Sequence, residues 1–206
     1  MIPYHKIENI FERNLITNKL IRGKYRSEAV EYLSSLEWIA TEKVDGTNIR
    51  VMWDGEKVTF GGKTDNAQLH GDLIKRLYEL FGDKKEIWLE KFGEKKVCLY
   101  GEGYGAGIQK GGVYGPTKDF ILFDVLIDGI WLERGNVEGV ADIFDINVVP
   151  IAIEGDLLEI VQIVEQGLES FWGDFICEGV VARPINELKD KRGNRIIVKV
   201  KTRDFD

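Results

Sequence analysis

The chain has few residues of the kinds that build covalent or metal-held frameworks. In 206 residues there are two cysteines, Cys98 and Cys177, and two histidines, His5 and His70. Two thiols make a poor disulfide scaffold, so the reading is a reduced, cytoplasmic protein. Four-cysteine and Cys/His zinc sites are excluded by count. No apolar run approaches the ~20 residues that a membrane-spanning helix needs, so no membrane partner is expected. Met1-Ile2-Pro3-Tyr4-His5-Lys6 lacks the apolar core of a signal peptide. The four prolines are scattered, with no repeat or low-complexity linker. One domain over residues 1–206 is therefore expected, and nothing in the sequence sets an oligomeric state. With 44% hydrophobic residues the chain has material for a core and is no disordered tail.

Basic side chains are outnumbered, 28 to 35, for a net charge of −7. The distribution is uneven. Residues 135–182 carry ten acidic side chains and no Lys or Arg. Residues 183–203 carry eight basic ones (Arg183, Lys189, Lys191, Arg192, Arg195, Lys199, Lys201, Arg203) against Glu187 and Asp190. Such asymmetry marks either one face that attracts anions or two solvated faces that differ.

Strand patterns dominate. Trp38 to Lys43 leads into Asn48 to Trp53, then Asp54-Gly55, then Lys57 to Phe60. Asp-Gly between alternating runs predicts a tight hairpin whose two central residues take positive φ. Phe120 to Ile127, Asp128-Gly129 and Ile130 to Leu132 repeat the pattern. Further strands are predicted at Lys96–Glu102, Asn147–Ile153, Phe175–Arg183 and Arg195–Lys201. Three helices are predicted, capped by Ser27, Asn66 and Asp156. Their apolar faces begin at Ala29, Leu69 and Leu157, and the acidic stretch falls mostly around the third. Strands and helices without regular alternation predict an α+β fold with antiparallel sheets flanked by helices.

The string with most chemistry in it is Thr41-Glu42-Lys43-Val44-Asp45-Gly46-Thr47-Asn48. It puts a lysine at a strand end beside an Asp-Gly turn. Taken alone this is an ordinary hairpin with an exposed lysine. Four further segments follow in order. Phe60-Gly61-Gly62-Lys63-Thr64-Asp65-Asn66 sets a cation in a Gly-rich turn. Leu99-Tyr100-Gly101-Glu102-Gly103 ends a strand in a glutamate. Phe120-Ile121-Leu122-Phe123-Asp124 places aromatics beside an acid. Glu178-Gly179-Val180-Val181-Ala182-Arg183 precedes Ile197-Val198-Lys199-Val200-Lys201.

This ordered set, from about Trp38 to Lys201, resembles the covalent nucleotidyltransferases and, most closely, the RNA ligase 2-like branch of the ATP-dependent RNA ligase family. The resemblance implies a nucleotidyltransferase (ATP-grasp-like ligase adenylation) domain, with ATP and Mg²⁺ as cofactors and RNA ends or nicked duplex as partners. It implies that Lys43 attacks ATP to form a lysine–AMP adduct. AMP then passes to an RNA 5′-phosphate, and a 3′-hydroxyl displaces it to seal the strand. A free lysine has a pKa near ~10.4, and nearby cations favour the neutral, nucleophilic amine. Lys199 and Lys201, at i and i+2, share one strand face and can supply that charge.

By the same resemblance Phe123 stacks on adenine, whereas Phe120, three residues away, points to the other face and is read as core. Glu102 accepts from the ribose hydroxyls, and Glu178 helps hold the metal or the sugar side. Asn48 bonds near the phosphate or the 3′-terminal nucleotide, and Glu42 lends its backbone carbonyl to adenine. Lys63 stands where the family more often has arginine, and offers phosphate a point charge in place of a fork. The stretch Gly101–Gly115 has seven glycines in fifteen residues but neither a Walker loop nor a Rossmann fingerprint. It reads equally as a mobile loop at a pocket mouth or as an irregular connection. His70, Cys98 and Cys177 are read as structural.

The last lysine strand ends five residues before Asp206, so neither an OB-fold nor a helical C-terminal domain is expected. That leaves adenylation better supported than joining. The alternatives are a DNA or mixed-nick ligase and a non-catalytic module that binds nucleic-acid ends.

Overall fold

The computed structural model describes residues 3–205. The chain packs as two compact units that interleave in sequence. One comprises Lys6–Val44 and Pro150–Asp206, the other Met1–His5 and Asp45–Val149. The absence of any linker composition is explained by this. The chain passes between the units at His5–Lys6, Val44–Asp45 and Val149–Pro150, and none of these is a Pro-, Gly- or Ser-rich linker.

In the first unit the chain forms β1 (Glu8–Asn9), β2 (Phe11–Arg13), β3 (Leu20–Tyr25), α1 (Glu28–Leu33) and β4 (Trp38–Glu42). After its excursion through the other unit it returns as β10 (Ile151–Gly155), α5 (Leu157–Gly167), β11 (Glu169–Ser170), β12 (Gly173–Ile176), β13 (Gly179–Pro184) and β14 (Val198–Lys201). The sheet order is β1-β14-β13-β4-β10, antiparallel except for the β1–β14 pair. β4 is buried along its whole length. Trp38 and Ala40 join Val180, Ala182, Val198 and Val200 in the same core cluster as Leu157, Ile160, Val161 and Val164 of α5. This alternation sends Lys199 and Lys201 to the opposite face. Asp156 caps α5 as expected, its Oδ1 accepting from the amides of Leu158 and Glu159 at 2.9 Å each.

The second unit contains β5 (Thr47–Trp53), β6 (Val58–Gly61), α2 (Gly71–Leu77), α3 (Lys85–Phe92), β7 (Val97–Tyr104), β8 (Asp119–Ile127), β9 (Ile130–Trp131) and α4 (Arg134–Phe144). Its antiparallel sheet runs β6-β5-β7-β8-β9. Ile49, Val51, Trp53, Leu99, Phe120 and Leu122 cluster with Leu73, Leu77, Phe81, Trp88 and Phe144 from the helices. The mixed α+β class with antiparallel sheets is thus observed.

Several expectations are corrected. The second helix begins not at Asn66 but after His70, whose Nδ1 accepts from the Asp72 amide at 3.3 Å. The intervening residues form a turn closed by the Ala67 amide on the Thr64 carbonyl. Ser27 sits at the N-cap of α1 without a side-chain cap bond. α3 and α4 have no sequence-based counterpart. Gly135 and Gly139 inside α4 hide a face that carries Val137, Val140, Ala141 and Phe144. At Asp128-Gly129 both residues take positive φ, 48° and 84°, as the tight hairpin requires. At Asp54-Gly55 only Gly55 does, because the Asp54 carboxylate accepts from the Glu56 and Lys57 amides and builds a longer turn. The strand predicted over Phe175–Arg183 is broken at Cys177-Glu178. The acidic stretch is divided too: Glu138 and Asp142 are exposed on α4 of one unit, Glu159 and Glu165 on α5 of the other.

The basic segment is partly neutralised within itself. Glu187 accepts from Arg183 at 3.1 Å and from the Arg195 Nε at 3.0 Å, and both arginines are largely buried. Burial pushes the Glu187 carboxyl up, but the Arg195 and Arg183 charges outweigh it and hold the carboxyl below its ordinary value. Removing one partner of such a cluster strands buried charge. Glu187→Ala is expected to lower unfolding free energy by about 3 kcal/mol in denaturant titration at neutral pH. The depressed carboxyl contributes stability above its unfolded value near 4.5 and loses it as pH falls through the lower folded value. The gap between variant and parent should therefore narrow in acid, and a gap that is constant with pH would refute the assignment.

Candidate active site

Lys43 directly follows β4, and its amide donates to the Gly179 carbonyl at 2.9 Å. That bond ties it to the start of β13, next to Glu178. The Lys43 Nζ donates to Glu178 Oε2 at 2.5 Å, and the Lys201 Nζ donates to Glu178 Oε1. Three expected site residues thus converge in one unit. The register Gly179↔Lys201 and Val181↔Lys199 puts β14 beside them and sends Lys199 and Lys201 to one face. All four side chains are half-buried. Burial raises the Glu178 carboxyl, but the Lys43 and Lys201 charges overcome this and leave it lowered. Burial, then the charges of Lys201 and Lys43, push the Lys199 ammonium below its usual value.

Glu42 is 1% exposed, and its side chain has a structural partner that the sequence did not suggest. Its carboxylate accepts from Ser170 Oγ at 2.6 Å and from the Phe171 amide at 2.9 Å. It fastens the β11–β12 turn to the strand end that carries Lys43.

The other unit holds Asn48, Lys63, Glu102 and Phe123. Asn48 and Glu102 are direct cross-strand partners on β5 and β7, so their side chains leave the same sheet face. Asn48 Oδ1 is buried without a hydrogen-bond partner, an acceptor in want of a donor. Phe120 is 2% exposed and packs edge-on against Phe81, which assigns it to the core. Phe123 is half-buried at a β-bulge. The register passes from Tyr100↔Asp124 to Gly101↔Leu122 and leaves Phe123 unpaired. Tyr4 meets its ring edge-on at 5.0 Å and donates to the buried Asp124 at 2.7 Å.

Lys63 is exposed on a turn that Arg50 holds from below. Arg50 is fully buried; its Nε donates to the Gly62 carbonyl and its Nη2 to Asp65, both at 2.7 Å. Arg50 was not foreseen, although its alternation with Asn48 along β5 is visible in the sequence. The Gly-rich stretch is packed at Gly101, Gly103, Gly105 and Gly111 and exposed between them at 106–107, 109–110 and 112–113. A Cβ at Gly46 would lie 2.3 Å from the Gly103 carbonyl, and one at Gly111 2.8 Å from the Gly105 nitrogen. Tyr114 Oη accepts from the Asp45 amide at 3.1 Å. His70 is a helix cap, and Cys98 and Cys177 are free and buried.

Among the described residues no three His, Cys, Asp or Glu side chains gather as a metal cage. No helix among the described residues is long and apolar enough to cross a membrane.

The fold is similar to solved RNA ligases of Naegleria gruberi. A variant solved with ATP and Mn aligns with a TM-score of 0.68 at 17% identity, over 97% of this chain and 59% of that one. The protein solved with PPi gives 0.66 at 16% identity, over 98% and 62%. An unliganded alanine variant gives 0.65 at 20% identity, over 86% and 52%. The chain therefore spans between half and two-thirds of the length of these ligases. At such identities the likeness speaks for the fold alone. The family model for RNA ligase matches residues 36–201, and with most of its length covered, the chain belongs to the RNA ligase family.

Proposed function

We propose that this protein is an ATP-dependent RNA ligase that works as one adenylyltransferase domain over residues 1–206, with Lys43 as its nucleophile. The observation that carries the reading is the convergence of Lys43 and Lys201 on Glu178, with Lys199 on the same strand face. ATP is consumed, so it is a substrate. The Lys43 nitrogen forms a bond to the α-phosphorus as the α–β bridging bond breaks, and pyrophosphate leaves. The adenylyl group then moves to an RNA 5′-phosphate, restoring Lys43, and attack by a 3′-hydroxyl expels AMP. Structures of a Naegleria ligase with ATP and Mn and with PPi match the substrate and product of the first step.

While Glu178 accepts from Lys43, the ion pair occupies the Lys43 nitrogen, and attack requires that pair to open. Once it opens, Lys199 and Lys201 neutralise charge on the phosphate in flight. Glu178 is the residue that would hold Mg²⁺, together with phosphate oxygens; the bound ion supplies charge neutralisation there. In the other unit, Phe123 would stack the adenine and Glu102 would accept from the ribose. Asn48 would use its unpartnered oxygen near the phosphate or the 3′-terminal nucleotide, and Lys63 would meet phosphate. Glu42 has its carboxylate engaged in the β11–β12 turn, which leaves only its backbone carbonyl for adenine.

Three measurements test this. In Mg²⁺ with α-labelled ATP, the unaltered chain should retain label through denaturing electrophoresis and Lys43→Met should not. Lys201→Ala should slow labelling by about 10²-fold or more. Label on Lys43→Met would remove the nucleophile assignment. Phe123→Leu should raise the ATP concentration for half-maximal labelling by about 5- to 100-fold, the worth of one lost base stack, with little change in the maximal rate. The same chain should seal a nicked duplex with RNA termini in preference to an all-DNA nick; equal sealing would reassign it as a general polynucleotide ligase.

A further inference from the structure

Residues 6–35 precede the span matched by the family model, yet they build part of the lysine-bearing unit. β1 pairs with β14 in the register Glu8↔Val198 and Asn9↔Lys199. The Ile10 amide donates to the Lys199 carbonyl at 3.3 Å. The β2–β3 hairpin follows and is fastened to residues just beyond Lys201. Arg13 binds Asp204 at 2.6 Å, and the Arg22 guanidinium lies 5.5 Å from the centre of the Phe205 ring. The hairpin, a two-stranded sheet of its own, is thus fastened to the segment that follows the strand carrying Lys199 and Lys201.

Its chemistry is unusual for this acidic chain. Residues 13–26 contain Arg13, Lys19, Arg22, Lys24 and Arg26 and no Asp or Glu. Its tip exposes Leu15 at 101% and Ile16 at 94%. The tip is preorganised. Asn14 Oδ1 accepts from the Ile16 and Thr17 amides at 2.9 and 3.0 Å, and Asn18 takes a left-handed φ of 58°. A cleft of about 520 Å³ beside it is lined by Ile16, Ile21, Lys24 and Arg26, among others. The ion pairs of Lys24 with Glu12 and of Arg26 with Glu8 are solvent-exposed. Such pairs contribute little to stability.

We propose that the β2–β3 hairpin is an RNA-docking surface. Lys19 and Lys24 grip phosphates, and Leu15 and Ile16 pack against an exposed base, so that the duplex is led toward Lys199 and Lys201. Charge complementarity selects the occupant: a cationic strand pair with a two-residue apolar tip suits a polyanion with stackable faces. The inference rests on the ligase reading for its RNA substrate, but it acts on docking, not on adenylation.

The test uses the full chain and a fluorescent nicked RNA duplex bearing a 5′-phosphate, with anisotropy measured across a salt series. Lys19→Gln/Lys24→Gln should weaken binding and flatten the slope of log Kd against log salt by about 1.5, the share of two phosphates. Leu15→Ser/Ile16→Ser should weaken binding about 5-fold or more at fixed salt without changing the slope, through lost burial of apolar area. Both variants should label Lys43 from ATP as the unaltered chain does, which shows that they are folded. Unchanged affinity in either variant overturns the proposal, and unchanged affinity in both redirects the apolar tip to a protein partner. Absence of labelling in the unaltered chain would fail the ligase reading instead, and the binding measurement would remain separately readable.

Discussion

Glu178 accepts from Lys43 through one carboxylate oxygen and from Lys201 through the other. Without it, two ammonium groups would face each other in a half-buried place, an arrangement that desolvation and mutual repulsion both oppose. The carboxylate makes the pair tolerable. The backbone around it shows what this requires. The strand expected over Phe175–Arg183 breaks at Cys177-Glu178, which sets Glu178 at the mouth of β13 instead of within a ladder. Gly179 follows at φ 143°, and a Cβ there would lie 2.1 Å from the Val200 carbonyl. Only glycine lets β13 close on β14 here. That closure produces the Gly179↔Lys201 register, and the register brings Lys201 to Glu178.

What the sequence made legible follows from the range of each signal. The α5 face, its Asp156 cap and the Asp128-Gly129 hairpin depend on residues a few positions apart, and all three are observed. The cluster of Lys43, Glu178 and Lys201 spans more than 150 positions and was legible only through the family resemblance. Spacing alone left Lys43 an ordinary hairpin lysine. The two-unit packing was not legible, because each unit is closed by segments from distant parts of the chain. Arg50 escaped notice because a cation in an apolar strand reads as solvent-facing. Here it is buried by the turn that it holds. The short strands β1 to β3 were missed for a related reason: their pairing with each other and with β14 is set by tertiary packing, not by a local period.

Charge shows how far a summed property can mislead. The net −7 describes a chain whose acidic side chains are exposed on α4 and α5, one in each unit. Of its cations, three groups in the lysine-bearing unit show the contrast. Arg183 and Arg195 are locked on Glu187 and serve the fold. Lys43 and Lys201 share Glu178, with Lys199 on the same face of β14 as Lys201. Lys189, Lys191 and Arg192 are exposed on a loop shaped by Asp190, whose Oδ1 accepts from the Arg192 amide at 2.8 Å and from the Asn194 amide at 2.9 Å. At physiological salt a charge is screened within about 8 Å. A phosphate therefore responds to the cations it touches and hardly at all to carboxylates on a distant helix.

The same screening argument separates what the half-buried lysines can do from what the exposed ones can do. An exposed cation attracts a polyanion but is itself weakened by salt. A lysine held on a carboxylate in a partly desolvated site keeps its interactions when the surrounding solution is screened. The ion pairs of Lys43 and Lys201 with Glu178 and the exposed cations Lys189, Lys191 and Arg192 therefore answer differently to salt: screening loosens what the second group holds long before it reaches the first.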